Sequence, residues 1–266
     1  MEAGPNSKLH VIQRRLHNSK FALKNHLLSV HQDASFVECL ASLFPSLPII
    51  ANLRNGLWYT ERKSSTCYFK STDGHVHNWA FSSSRLNVKV ALKSCQHGGC
   101  IIVDSTRRGK KFPDSMSYTI PIWCAVLNHL VLGTSLEDSL RLPPWVSHGL
   151  SLLVNERLVT LVENLQSDIR ALLLSSLRGI LVSPLRPIWC TVDEGMFEWL
   201  GDLSEEFVDN FEEVSSRVVP IVLFSCSDDI SENTHSEYHS WHYIKGAGDD
   251  EEHWSNGLTP DLFWKN

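Results

Sequence analysis

Much of what marks a protein class at sight is missing from this sequence. There is no basic excess: 24 Lys and Arg stand against 30 Asp and Glu, a formal charge of −6 over 266 residues. Dedicated nucleic-acid binders carry the opposite sign, so a polyanion would have to be met by a local basic cluster rather than by the whole surface. The seven cysteines, at 39, 67, 95, 100, 124, 190 and 226, form no CxxC pair. An odd, irregular set argues against a disulfide framework and for a reducing compartment. Uninterrupted apolar runs of about 18 residues are lacking, so no membrane span is expected. The segment from Lys8 to Leu28 is broken by Arg, Lys, His and Asn, unlike a secretory leader, and the cytoplasm is the expected location. Walker A, GxGxxG, GxSxG and HExxH do not occur, and no Cys is placed before an Arg as in a phosphatase loop. Cys95, His97 and Cys100 have no second half for a zinc site, and His235, His239 and His242 have no independent support.

What is present reads as globular. Hydrophobic residues are 42% and charged residues 20% of the chain, ordinary values for a packed domain. Apolar residues at helical spacing predict a helix over 8–45, stopped by Pro45. Its basic residues Arg14, Arg15, Lys20 and Lys24 are either a solvated face or a contact for an RNA backbone. Leu47–Asn52 reads as a short strand, and Trp79-Ala80-Phe81 as the start of a strand or helix. Cys100–Asp104, after Gly98-Gly99, has the profile of a buried parallel strand. Thr119–Leu132 is an apolar helix with Pro121 early, where proline is tolerated. Residues 150–178 keep one apolar face as a long helix. Ile188-Trp189 leads into a short strand, Val218–Phe224 is a further buried strand, and Ser225–His235 is a polar loop. This alternation predicts an α/β fold: a mostly parallel sheet flanked by helices, with a helical N-terminal segment. Ligands in such sheets sit beyond the carboxyl ends of the strands.

That rule points to Asp104-Ser105-Thr106-Arg107-Arg108-Gly109-Lys110. Backbone N–H groups of a glycine-bearing loop can cradle phosphate oxygens, Arg adds bidentate contacts and Lys a point charge. Asp104 would hold a ribose hydroxyl or Mg²⁺. The run contains no nucleophile–base pair, so it suits neutralising a polyphosphate leaving group. The other reading is a basic surface turn capped by Asp104. The loop is loosely similar to the phosphoribosyl diphosphate loop of ordinary phosphoribosyltransferases, which has two adjacent acids where this chain has one.

Two further stretches carry candidates. Lys70, Ser71, Thr72, His75 and Arg85 could reach a phosphate or a sugar, and His75 with His77 forms an HxH pair. The alternative is a hairpin turn. Asp249-Asp250-Glu251-Glu252, after Gly246-Ala247-Gly248, is either a Mg²⁺ site or a solvated acidic loop. Mg²⁺ needs only one or two carboxylates when phosphates supply the rest.

Long ordered motifs connect these stretches. Asn52–Tyr59, Phe69–His75, Phe81–Asn87, Gly99–Lys110, Pro121–Asn128, Gly246–Asp250 and Trp254–Trp264 together resemble the initiator tRNA 2′-O-ribosylphosphate transferases. The resemblance implies transfer of a 5-phosphoribosyl group from phosphoribosyl diphosphate to a ribose 2′-OH of initiator tRNA, which keeps that tRNA out of elongation. Its site residues would be Asp104 and His75 as proton acceptors, and Lys70, Ser71, Thr72, Arg85, Ser105, Thr106, Arg107, Arg108, Gly109 and Lys110 on the substrates. Asp249 and Asp250 would hold Mg²⁺. Initiator tRNA and phosphoribosyl diphosphate are the implied partners, with neither membrane nor DNA. The acidic segment ends Glu251-Glu252-His253, where the family order is expected to be Asp-Asp-His. Residues 1–266 are expected to form one transferase-type domain with 1–45 as a helical lead-in. The phosphatase-like domain that family members carry beyond it is expected to be absent. The competing expectation is a non-catalytic tRNA- or phosphate-binding module.

Overall fold

A computed structural model describes residues 5–107, 109–229 and 241–265, with side chains from residue 22. Its strands are β1 Ile49–Asn52, β2 Ser65–Cys67, β3 Cys100–Asp104, β4 Leu185–Asp193, β5 Met196–Leu200 and β6 Val219–Asp228. They form a single sheet in the order β2-β1-β3-β6-β4-β5, in which every pairing is parallel except β4 with β5. The helices are α1 Pro5–Leu43, α2 Val88–His97, α3 Ile120–Leu132, α4 Leu136–Ser139, α5 His148–Glu163, α6 Ser167–Leu177, α7 Ser204–Asp209, α8 Phe211–Arg217, α9 Glu251–Trp254 and α10 Pro260–Phe263.

Both faces of the sheet are covered, which is why its central strands are apolar throughout instead of alternating. Cys100 and Ile102 of β3 pack with Ile221 and Leu223 of β6 into a core shared with α2, α3, α5 and α6. Ile101 and Val103 point the other way, with Val222 and Phe224, into a core closed by α1, α7 and α8. The stretch Ser115–Leu132 is apolar and long enough to cross a membrane, yet 72% of it is buried inside the protein. Its apolar character is that of a central core helix.

The α/β expectation holds, with local differences. The helix expected over 150–178 is two helices, α5 and α6, because the chain turns at Asn164–Gln166. Ser147 caps α5 by accepting from the Leu150 N–H. Trp79-Ala80-Phe81 is neither strand nor helix. β6 runs on to Asp228, so the expected loop at Ser225 begins as strand, paired to β3 through Asp104 and Ser225. Residues 230–240, with His235 and His239, lie outside the described residues. The edge strand β5 and the short helices α7 and α8 had no clear pattern to announce them: β5 is Met-Phe-Glu-Trp-Leu and nowhere fully buried.

One topological detail positions everything that follows. From β1 the chain moves outward to β2, whereas from β3 it moves past β6 to β4. The connections leaving these two neighbouring strands diverge, and a crevice is left between their carboxyl ends.

Candidate active site

At that crevice three segments meet: the turn after β1, the loop after β3 and residues 244–250. Asn52 is the hinge pin. Its Nδ2 donates to Asp104 Oδ2 at 2.8 Å and to the Phe69 carbonyl at 3.0 Å, and its Oδ1 accepts from the Phe69 N–H at 2.9 Å. One buried amide thus ties β1 to β3 and to the segment that carries Lys70. Asp104 is fully enclosed. Its carboxylate also accepts from Arg54 Nε at 3.1 Å, from its neighbour's N–H on Ser105 at 2.9 Å and from Ser115 Oγ at 3.4 Å.

From Asp104 a chain of charges runs outward. Arg54 also donates to the Ser105 carbonyl and sits 3.4 Å from Asp249 Oδ2. Arg107 reaches the same Asp249 oxygen at 2.8 Å through Nε, and Asp250 at 2.8 Å through Nη1. Two arginines from different loops therefore share one carboxylate. Burial pushes the Asp104 carboxyl above its ordinary value, and Arg54 and Asn52 pull it back only in part. Burial also works against the Arg54 cation, but Asp104 and Asp249 outweigh it and hold its pKa up. Asp249 is desolvated too, yet the Arg107 hydrogen bond and the Arg54 charge keep its carboxyl below the usual range.

Two glycines let the segments come this close. A Cβ on Gly56 would stand 2.3 Å from the Val103 carbonyl oxygen, so the turn after β1 can lie flat on β3 only without one. Gly246 has φ +67, and a Cβ there would stand 2.6 Å from the Thr106 carbonyl oxygen. Tyr59, buried beneath, accepts from Ser105 Oγ at 2.9 Å and from the Gly248 N–H at 2.7 Å.

The residues singled out in the sequence fall into three groups. Asp104, Ser105, Thr106, Arg107, Asp249 and Asp250 come together as just described. His75 and Lys110 meet at Asp114, with Nε2 3.1 Å from Oδ2 and Nζ 2.8 Å from Oδ1. Lys70 and Arg85 share the Tyr68 ring, with the Arg85 guanidinium 4.6 Å from its centroid and Lys70 Nζ at 5.8 Å. Ser71 and Thr72 open a short helical turn, Ser71–Gly74, and Ser71 Oγ is buried with no hydrogen-bond partner. Gly109 has φ +85, a left-handed turn in the loop. Arg108 lies outside the described residues. Sequence reasoning did not select Arg54, Asn52, Tyr59, Asp114 or Lys245. The turn after β1 could have been found by the same carboxyl-end rule that selected the loop after β3.

Two cavities border the loop after β3, one through Arg107 and the other through Gly109–Phe112. One, of about 710 Å³, lies against α1 and is lined by His26, Arg107, His242, Lys245, Asp249 and His253 among others. The second, of about 630 Å³, is lined by Lys110, Lys111, Phe112, Asp114, Tyr118 and Trp145 among others. Among the described residues no group of three or more His, Cys, Asp or Glu side chains could enclose a metal. The Asp249–Asp250 pair has the donor set for a Mg²⁺ that brings phosphate ligands with it, and not for an all-protein cage.

Fold and crevice together define an α/β domain that gathers a cluster of charged side chains at a topological switch point. Residues 16–266 match the family described as the Rit1 N-terminal domain, and the chain belongs to that family. It is 38% identical over 252 residues to an uncharacterised protein of Schizosaccharomyces pombe, covering 91% of this chain and 52% of that protein. It is 35% identical over 270 residues to tRNA A64-2′-O-ribosylphosphate transferase of Saccharomyces cerevisiae, covering 96% of this chain and 52% of that protein. The chain spans about half the length of the curated relatives it matches. No solved structure matches it.

Proposed function

We propose that this chain is the pentosyl-transferring domain of an initiator tRNA 2′-O-ribosylphosphate transferase, with phosphoribosyl diphosphate as donor and the cytoplasm as its place of work. The observation that carries the reading is the 35% identity to the named tRNA transferase across 96% of this chain. The crevice supports it, since the reaction needs diphosphate stabilisation and the positioning of two large substrates.

In the reaction the 2′-OH oxygen bonds to the anomeric carbon of the donor. The bond from that carbon to the diphosphate oxygen breaks, and diphosphate leaves with the electron pair. The hydroxyl proton passes to a base. The donor's diphosphate belongs on the α1 side of the loop, where Arg107 and Lys245 line one cavity with three histidines. Ser105, Thr106 and Gly109 shape the loop, and Arg108 and Lys110 extend its charge along the chain. The acceptor belongs on the opposite side, where Lys70, Ser71, Thr72 and Arg85 offer contacts to a sugar–phosphate backbone. Of the two proton acceptors, His75 is the open one: its side chain is 56% exposed, and Asp114 orients the ring. Asp104 is enclosed and acts by holding Arg54 in place. Mg²⁺ held by Asp249 and Asp250 would add charge neutralisation to the departing diphosphate.

The test is incubation of the purified chain with initiator tRNA and labelled phosphoribosyl diphosphate, with and without Mg²⁺. Label in the tRNA is expected, and Arg107→Ala should lower donor affinity about ten-fold by loss of one charge-assisted contact. Salt-dependent tRNA binding with no label transferred, beside an active full-length relative, would replace the transferase by a non-catalytic binding module.

A further inference from the structure

The second cavity has a wall that the donor has no use for. Trp145 is 45% exposed, although it is among the largest apolar side chains in the protein. It is not loosely placed. One side of its indole stacks on the buried Phe112 ring, with centroids 4.8 Å apart and planes inclined by 13°, and its edge meets Trp189 at 6.0 Å. Pro143 and Pro144 stiffen the approach, and the Val146 N–H closes the turn on the Pro143 carbonyl at 3.0 Å. A large flat ring is thus held with part of its surface turned to a cavity of about 630 Å³, within the size range of small-ligand sites. Tyr118 shares that wall.

The rim is polar and mixed in sign. Lys110 and Lys111 supply donors; Asp114 and Glu198 supply acceptors. The lysines are engaged with carboxylates, Lys110 with Asp114 at 2.8 Å and Lys111 with Glu198 at 2.7 Å and Asp193 at 3.2 Å. The lysine ends of these pairs are 56% and 41% exposed, so either ammonium can exchange its partner at little cost. A heterocycle with both donors and acceptors at its edge suits such a rim, and its face suits the ring.

We infer that this cavity is a nucleobase subsite: an unpaired or splayed base of the acceptor RNA stacks on Trp145, with its edge toward Asp114 and Glu198 and its backbone toward Lys110 and Lys111. The inference rests on the transferase reading, which brings RNA to this loop. The donor, a ribose bearing phosphates, has no aromatic group to stack. The acceptor carries a base on every sugar, and aromatic platforms beside cations are how proteins hold single-stranded bases. The subsite is lined by Gly109–Phe112, the end of the same loop that begins at Asp104. A base held there would bring a strand alongside the loop that meets the diphosphate.

The experiment compares wild type, Trp145→Phe and Trp145→Leu for affinity toward initiator tRNA and, separately, toward phosphoribosyl diphosphate. Leu keeps bulk against Phe112 and removes the aromatic face, whereas Phe keeps the face. Trp145→Leu should weaken tRNA binding about ten-fold or more, Trp145→Phe should recover most of that loss, and donor affinity should stay unchanged in both. In the transfer assay the KM for tRNA should rise while kcat holds. Equal tRNA affinity in wild type and Trp145→Leu overturns the inference and leaves the transferase reading standing. Parallel loss of tRNA and donor binding marks the stack as structural and also overturns it. A wild-type chain that binds no tRNA overturns both readings.

Discussion

Arg107, Lys245 and three histidines line the cavity against α1, whereas Phe112, Tyr118 and Trp145 wall the one across the loop. The charged side is held from within. Asp104 is enclosed, Arg54 is mostly covered, and their network draws on three segments far apart in the chain. On the aromatic side the ion pairs of Lys110 and Lys111 lie near the surface, and shape comes from ring stacking. The inner pair, Arg54 with Asp104, is desolvated and rigid because breaking either member strands the other, while Arg107 at the outer end is 63% exposed. Exposed ion pairs exchange freely. Under the proposed function the first side meets the donor's diphosphate and the second the acceptor RNA.

The sharpest way to break this contrast is Asp104→Ala. It removes one of the three Asn52 side-chain hydrogen bonds and takes from Arg54 its closest carboxylate, so a loss of about 3 kcal/mol of folding stability is expected in urea denaturation. A loss below about 1 kcal/mol would show that the charged side is not internally held. Gly246→Ala comes next. It forces a side chain onto a left-handed residue, worth about 1–2 kcal/mol, and against the Thr106 carbonyl. Donor binding by calorimetry should weaken, while tRNA affinity, assigned by the proposal to the opposite side, should change little. Equal loss of both would merge the two sides into one site.

The smallest effect is a pH dependence. Asp249 has its carboxyl held below the ordinary range once folded. Its contribution to stability is complete above the unfolded value near ~4 and is lost as pH falls through the depressed folded value. The stability difference between wild type and Asp249→Asn should thus be present near neutrality and fade in acid. A difference that persisted or grew in acid would remove Asp249 from the charge network.

Much of the framework was legible beforehand. The run Cys100–Asp104 reads as a buried parallel strand because a strand covered on both faces has no polar positions, and it is one. The helix expected over 8–45 is α1, ended at Leu43 just before Pro45. The break inside 150–178 escaped notice because the apolar stripe continues across it: Leu165 and Ile169 both pack on the same core. Of the site, the loop after β3 was visible as a cluster of charge. Arg54 was marked by no charge cluster, and only its place just beyond the carboxyl end of β1 could have pointed to it. Trp145 was equally silent, because exposure cannot be read from residue type.

The short apolar runs pointed by themselves to a parallel sheet with strands covered on both faces, since a run of that length with no polar positions fits a strand buried on both sides. The acidic segment shows what they left open. As a sequence, Asp249-Asp250-Glu251-Glu252, four like charges in a row, favoured a solvated loop and left a metal site as the alternative. Only the tertiary structure brought Arg54 and Arg107 to Asp249, across separations of 195 and 142 residues. Pairing of charges in space depends on how strand order folds the chain back on itself, and strand order is a property of the whole sheet rather than of any segment within it.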